Sequence, residues 1–196
     1  MDRIDRSFFE TDTLTCARAM IGCELSWENA AGIIVETEAY AATGDEAAHT
    51  FLRRSARMFM KERPPGSLYV YLNYGIHWLL NFLVIGSAAN GFVLIRALQP
   101  TRGIDLMRAR RGVTAKRSLC SGPGKLTQAL AIDGSFHGKD LFALPSVEMR
   151  APRRAATVET DLRVGITKSA ELEWRFLLED SPFVSIPKNK TRPRTF

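Results

Sequence analysis

The chain has 196 residues, a mass of 21.9 kDa and a formal net charge of +6. Apolar residues make up 45% of it and charged residues 24%, which are ordinary values for a globular protein and exclude collagen-like, disordered and membrane-spanning classes. This length is enough for one full hydrophobic core, so we predict a single domain over residues 1–196. The net positive charge favours a polyanionic partner, either nucleic acid or an anionic membrane.

The charge is unevenly distributed along the chain. Residues 1–50 carry 3 basic and 10 acidic side chains, residues 51–125 carry 13 and 2, and residues 126–196 carry 11 and 9. The positive excess therefore belongs to the middle of the chain. Either a solvated surface or a polyanion-binding face would explain it, because a sequence does not show which charges meet in space.

Cysteine usage and the N-terminus predict a cytoplasmic protein. Cys16, Cys23 and Cys120 are an odd number without a CxxC pair, which argues against a disulfide framework and against a zinc site. The first residues lack the apolar core of a secretory signal. The most apolar stretch, residues 76–85, is too short to cross a bilayer, so we expect no membrane association.

The N-terminal elements are a helix and a strand. Apolar residues at helical spacing follow a capping residue among positions 11–13 and predict a helix that ends at Gly22. A β-branched run at 33–35 predicts a strand that continues through Glu36 and Glu38 into a polar loop.

An antiparallel meander is predicted over residues 68–98. Alternating apolar and polar residues indicate strands, with a tight turn at Tyr74-Gly75 and a hairpin at Asn90-Gly91. An aromatic residue at a hairpin tip is exposed unless something covers it, which makes Tyr74 a candidate for function.

The C-terminal half is predicted to contain two helices and two strands. Helices are expected at 104–111 and 123–133, strands at 162–166 and 174–178, and a flexible basic tail at 187–196. The elements together predict a mixed α/β (α+β) domain with an antiparallel sheet flanked by helices.

Three polar residues interrupt apolar strands: Glu38, Asn81 and Arg96. Burial of a charge is costly unless the charge is paired or used. Considered one at a time, each residue has an ordinary structural explanation: Arg96 would pair with a glutamate, Asn81 would satisfy a β-bulge and Glu38 would face water. Taken together on neighbouring strands, the three would form a polar pocket in an apolar sheet.

All four tyrosines fall near these interruptions: Tyr40, Tyr69, Tyr71 and Tyr74. Aromatic rings beside a basic surface are what stacking on nucleobases requires. From composition alone, ordinary β-sheet aromatics are the slightly favoured explanation, and Tyr69 is assigned a structural role.

The segment CSGPGKLTQAL is a candidate phosphate site, because a helix N-terminus beside Lys125 favours an anion. It is not a nucleotide-binding P-loop, since Leu119 and Leu126 occupy two of the motif positions. A capped helix with an exposed lysine is the alternative. The histidines, of which His49 lies in the loop after Glu38, show no metal-ligand spacing, and we predict neither a metal nor a cofactor.

Seven segments occur in the order found in one known family. They are VETEAY, DEAAHT, LYVYLNYG, VLIRAL, CSGPGKLTQAL, DLRVGI and SPFVSI. From about Phe8 to Ile186 the chain resembles the alkyladenine DNA glycosylases, also called mammalian-type 3-methyladenine DNA glycosylases, and would be a bacterial member. The resemblance implies a curved antiparallel sheet, a nucleoid-associated cytoplasmic monomer and a partner that is double-stranded DNA containing damaged purines.

The resemblance also implies an activity and site residues. The activity is hydrolysis of the N-glycosidic bond of 3-methyladenine, 7-methylguanine and, in some members, hypoxanthine or ethenoadenine, which leaves an abasic site. By matching motifs, Glu38 corresponds to the catalytic base and Arg96 to the residue that helps to hold the attacking water. The base pocket corresponds to Tyr40, His49, Tyr71 and Asn81, the intercalating side chain to Tyr74, and the phosphate contact to Lys125.

One segment departs from the family pattern. Members usually carry an Arg and an Asn just before a Met-Phe pair, whereas here TFLRRSAR precedes Met58-Phe59 and KERPPG lengthens the approach to the tyrosine strand. A change in this loop could alter the substrate range without changing the reaction.

Two other functions compete with a DNA glycosylase. One is a non-enzymatic nucleic-acid-binding module in which Glu38 and Arg96 are merely paired. The other is a glycosidase with Glu36 and Glu38 as its carboxylate pair, although residues two apart on one strand leave little room to flank a bond.

Overall fold

An antiparallel sheet of eight strands organises the molecule in the computed structural model, which describes residues 2–86 and 89–191. The strand order is β3-β4-β5-β2-β1-β6, and β8 followed by β7 continues from the second half of β2. The predicted mixed α/β domain with an antiparallel sheet is confirmed. The strands are β1 (Glu24–Trp27), β2 (Ala30–Ala41), β3 (Leu68–Asn73), β4 (His77–Val84), β5 (Gly91–Arg102), β6 (Val147–Arg150), β7 (Val158–Asp161) and β8 (Arg175–Leu178).

Five α-helices accompany the sheet in the described part of the chain. They are α1 (Thr13–Ala19), α2 (His49–Leu52), α3 (Arg54–Glu62), α4 (Ile104–Arg111) and α5 (Pro123–Leu130). Helix α1 packs on β2 and β5, and α5 packs on β4 and β5 with α4 beside it. The Asp12 carboxylate caps α1 by accepting from the backbone N–H groups of Leu14 and Thr15, at 3.1 and 2.9 Å. No helix among residues 2–86 and 89–191 has the length and apolar character needed to cross a bilayer.

The meander is formed as predicted. Strands β3 and β4 are joined by a tight turn in which Tyr74 and Gly75 have φ of +50° and +69°, and the Ile76 N–H donates to the Asn73 carbonyl at 3.0 Å. Two positive φ angles at the centre of such a turn define type I′, whose twist matches that of the strands. The second hairpin pairs Val84 with Gly91, and residues 87 and 88 of its connection lie outside the described residues.

Some predicted elements were wrong. The strand expected at 162–166 is a loop, because Arg163 turns inward there to an ion pair, and the strand before it is β7. Helix α5 ends at Leu130 because Ala131 adopts a left-handed conformation with φ +56°. His49 begins α2, where the sequence indicated a loop.

The ends of the chain and the cysteines complete the description. Cys16, Cys23 and Cys120 are free and buried. The tail predicted at 187–196 is described to Thr191. Within that part, Lys188 pairs with Glu159 at 2.7 Å, and the Thr191 hydroxyl donates to Asp161 Oδ2 at 3.2 Å. Residues 192–196 lie outside the described residues.

Candidate active site

A cavity of about 370 Å³ opens where the β3–β4 hairpin, α2, the start of α5 and the loop at 164–166 meet. It combines aromatic and polar side chains, as ligand sites typically do. All four tyrosines contribute to its lining, together with His49, Asn81 and Arg96. The full set is Tyr40, Ala47, His49, Tyr69, Tyr71, Asn73, Tyr74, Leu79, Asn81, Phe92, Leu94, Arg96, Pro123, Val164, Gly165 and Ile166.

One wall of the cavity is aromatic. The His49 and Tyr71 rings lie 4.4 Å apart between centroids, and His49 Nδ1 lies 3.1 Å from the Tyr69 hydroxyl. Tyr69 itself is buried and stacks on Phe92 at 4.4 Å, so it supports His49 from the core side. Flat rings held from behind in this way can stack on a planar ligand.

Burial sets the protonation of this wall. It lowers the pKa of His49 to about 4, with a smaller contribution from the charge of Arg53. It also raises the pKa of Tyr71 to about 12. Both side chains are therefore neutral at pH 7, and the wall presents no charge to a base.

Glu38 is fully buried directly beneath the cavity surface. Its Oε2 accepts from the Tyr40 hydroxyl at 2.8 Å and from Arg96 Nη1 at 3.3 Å, and its Oε1 accepts from the Val164 N–H at 2.7 Å. The expectation that Glu38 taken singly faces water is wrong. All three donors line the cavity, so the carboxylate is one hydrogen bond away from it.

Glu36 lies deeper and joins two arginines. Its Oε1 accepts from Arg96 Nε at 3.1 Å, from Arg175 Nε at 2.7 Å and from the Ser185 hydroxyl at 2.8 Å, and its Oε2 accepts from the Ser185 N–H. Arg175 also pairs with Asp161 Oδ2 at 3.2 Å. Glu36 takes no part in the cavity lining, so it holds Arg96 in place and is not paired with Glu38 across a bond to be cleaved.

A second ion pair supports the loop that supplies Val164. Arg163 donates to both oxygens of Asp45, at 2.6 and 2.8 Å, and to the Ala39 carbonyl at 2.9 Å. Its guanidinium lies 4.7 Å from the centre of the Tyr40 ring and 5.3 Å from that of Trp174. These contacts fix the backbone next to Glu38 and the ring of Tyr40.

The buried charges do not balance. Among the described residues, the buried side chains include four carboxylates and three guanidinium groups, so this buried cluster has a formal charge of −1. Such an excess favours a positive charge in the cavity. The carboxylates are those of Glu36, Glu38, Asp45 and Asp161, and the guanidinium groups are those of Arg96, Arg163 and Arg175.

The remaining sequence candidates surround the cavity. Asn81 is buried, and its Nδ2 donates to the Tyr69 carbonyl at 3.1 Å. The expectation that Asn81 satisfies a β-bulge is wrong, because β3 and β4 pair in regular register there. Tyr74 is 87% exposed at the hairpin tip and lines the mouth. Lys125 is exposed in the first turn of α5, whose Pro123 also lines the cavity.

Sequence reasoning missed most of the supporting network. Asp45, Asp161, Arg163, Arg175 and Ser185 were not singled out, although three of them lie in or beside the DLRVGI and SPFVSI segments. An arginine between apolar residues, as in LRV, was the available signal. In the described part of the chain, no three His, Cys, Asp or Glu side chains gather in a way that could hold a metal ion.

Comparisons with known proteins agree with the resemblance. The family model for methylpurine-DNA glycosylase (MPG) matches residues 7–182. A relative from Agrobacterium fabrum is 47% identical over 182 residues, which are 93% of this chain and 92% of that protein. Relatives from Rhodopseudomonas palustris (strain HaA2) and Rhizobium meliloti are 47% and 45% identical, and the matches cover 93% and 92% of this chain and 90% and 95% of theirs. All three carry the name "Putative 3-methyladenine DNA glycosylase".

Proposed function

The chain belongs to the methylpurine-DNA glycosylase family, which are hydrolases of N-glycosyl bonds, and we propose that it excises alkylated purines from double-stranded DNA as a monofunctional enzyme. The substrates we propose are 3-methyladenine and 7-methylguanine, with hypoxanthine and ethenoadenine as further candidates. The observation that carries the proposal is the buried carboxylate of Glu38, held by three donors that all line an aromatic cavity.

The cavity suits a flipped base. A purine inside a duplex hides its glycosidic carbon, so an enzyme must extrude the nucleotide at a cost of a few kcal/mol. Stacking against His49 and Tyr71 on one side and against Tyr40 on the other would offset this cost. Tyr74, exposed at the mouth, would fill the space that the nucleotide leaves.

Glu38 would supply the chemistry. Tyr40 and Arg96 lie between the Glu38 carboxylate and the cavity and donate hydrogen bonds to Oε2. We infer that a bound nucleotide displaces one of these two donors from Oε2 and that a water molecule binds there instead. The carboxylate then accepts a proton from this water, and the water oxygen bonds to C1′ as the bond from C1′ to the purine nitrogen breaks. Arg96, held by Glu36, would keep the water in position.

Charge explains how the site would favour damaged bases. Alkylation at N3 or N7 makes the purine cationic, and the sugar develops positive charge as the bond breaks. The carboxylate of Glu38 beneath the cavity would stabilise both positive charges. Asn81, at the back of the cavity, would crowd the exocyclic amino group of guanine. Lys125 would contact a phosphate beside the flipped nucleotide.

The test uses duplex oligonucleotides that each carry one defined lesion, with cleavage at abasic sites as the readout. We expect release of 3-methyladenine and 7-methylguanine by the wild-type protein. Glu38→Gln should lower the single-turnover rate by about 10²- to 10⁴-fold, because the shape is kept and the base is lost. Unchanged release by Glu38→Gln would remove this residue from the mechanism. Binding without release by the wild-type protein would favour a binding module.

A further inference from the structure

Exposed apolar side chains are concentrated in α2, α3 and the β3–β4 hairpin, and the first and last of these elements contribute His49 and Tyr74 to the cavity lining and its mouth. Of the seven large apolar residues that are exposed in the described part of the chain, six lie between residues 51 and 76. Three of these belong to the β3–β4 hairpin and three to α2 and α3. The six are Phe51, Leu52, Met58, Leu72, Tyr74 and Ile76, and the seventh is Leu106 on α4.

The α2–α3 segment, residues 49–62, forms one flank of this mouth. It starts at His49 in the cavity wall, and Phe51 and Leu52 follow at 55% and 77% exposure. Phe51 is two residues from His49, so their Cα atoms are within about 7 Å of each other. His49 lines the cavity and Phe51 is exposed, so Phe51 lies within one groove width, about 12 Å, of the place where a nucleotide would enter.

The segment is held rigidly in this position. Arg57 Nη1 donates to the carbonyls of Thr50 and Phe51 at 2.7 and 3.2 Å, which ties α3 to the end of α2. Phe59 on the inner face of α3 is buried and packs on Tyr69 with a centroid distance of 5.1 Å. Exposure of Phe51 and Leu52 therefore does not result from fraying, because the elements beneath them are anchored.

The charge of the segment identifies the class of partner. Residues 53–63 contain five basic side chains and one acidic side chain, Glu62. Arg54 is exposed at the first turn of α3, two residues after Leu52, whereas Arg57 is engaged with backbone carbonyls. Apolar side chains bordered by free cations are complementary to a nucleic acid, in which sugars and bases lie between phosphates.

We propose that the α2–α3 segment is a DNA-contacting flank beside the hairpin, which this chain has built into the part of its sequence that departs from the family pattern. Phe51 and Leu52 pack on the sugars and bases next to the extruded nucleotide, and Arg54 pairs with a backbone phosphate. The inference rests on the proposed function for its substrate, and it adds a second point of grip on the duplex.

The test compares variants in the α2–α3 segment with control variants on α4 and after β6. Phe51→Ser/Leu52→Ser should weaken binding of an undamaged duplex oligonucleotide about tenfold, whereas Leu106→Ser, an exposed apolar position on an element outside the cavity lining, should bind as the wild type does. Arg54→Gln should reduce the slope of log K against log salt by about 1. Arg154 follows β6, which is the edge strand at the other end of the sheet from β3, and Arg154→Gln should leave that slope unchanged.

Each outcome decides something specific. The proposal would be overturned if the double variant Phe51→Ser/Leu52→Ser and the variant Arg54→Gln both bound DNA with wild-type affinity. It would also be overturned if the double variant changed its sedimentation coefficient without a change in DNA binding, because the patch would then be a contact between copies of the chain. Failure of the proposed function looks different: the wild-type protein would release no base from any lesion, whatever these variants do to binding.

Discussion

The two walls of the cavity are built on different physical principles. The aromatic wall, made by His49, Tyr69 and Tyr71, consists of neutral side chains that are held by ring packing and by the hydrogen bond between His49 Nδ1 and the Tyr69 hydroxyl. The ionic wall, made by Arg96 and the Glu38 beneath it, is held by buried ion pairs that reach β8 and the C-terminal segment. Under the proposed function, recognition and chemistry would be separable, because the first wall is held by contacts that differ from those of the second.

The ionic wall should be the more costly one to damage. Arg175 is fully buried between Glu36 and Asp161, so Arg175→Met leaves both carboxylates short of a partner. We expect the free energy of unfolding to fall by about 3–5 kcal/mol, measured by denaturant titration at pH 7. Tyr71→Phe, the matched change in the aromatic wall, should cost less than about 1 kcal/mol. Equal losses in the two variants would contradict the contrast between the walls.

A change to Tyr74 at the mouth of the cavity should affect the excision rate and not the stability. Tyr74 is exposed and has φ +50°, a conformation that asparagine adopts more readily than tyrosine does. Tyr74→Asn should therefore fold at least as stably as the wild type, and it should excise a lesion about tenfold more slowly because the flipped state loses its wedge. Tyr74→Phe, which keeps the ring, serves as the control. An excision rate in Tyr74→Asn equal to that of the wild type would remove the wedge role.

The same contrast explains what could be read from the sequence. The meander and α4 are encoded locally, by alternation and by turn glycines such as Gly75 and Gly112, and both were predicted. The aromatic wall was recognisable because its tyrosines lie close together in the chain. Glu38 and Arg96 of the ionic wall were singled out as well, but the ion pairs that support the site were not, because they join distant residues: Asp45 and Arg163 are 118 positions apart.

The error at 162–166 has the same origin. In a strand at 162–166, Leu162, Val164 and Ile166 would lie on one face and Arg163 on the other. In the structure Arg163 is buried and the apolar residues are half-buried, because the ion pair to Asp45 outweighs the local pattern. A tertiary contact of this strength reverses the orientation that a local pattern predicts.

The smallest expected effect concerns the pH dependence of the aromatic wall. The pKa of His49 is about 4 in the folded protein and 6.5 in a model peptide, so between these values the unfolded chain binds more protons than the folded one. Its contribution to stability is complete above pH 6.5 and is lost as the pH falls towards 4. Because the ring is partly exposed, we expect a loss of only about 1 kcal/mol between pH 7 and pH 5.

His49→Gln should remove this loss, which denaturant titrations of both proteins at pH 7 and pH 5 would measure. His77→Gln, a change of the exposed imidazole at the start of β4, should keep the pH dependence of the wild type. If His49→Gln instead loses as much stability as the wild type on acidification, the buried charges of the ionic wall, and not the imidazole, control the acid response. The neutrality of the aromatic wall would then have no consequence for stability, and the two walls would be coupled after all.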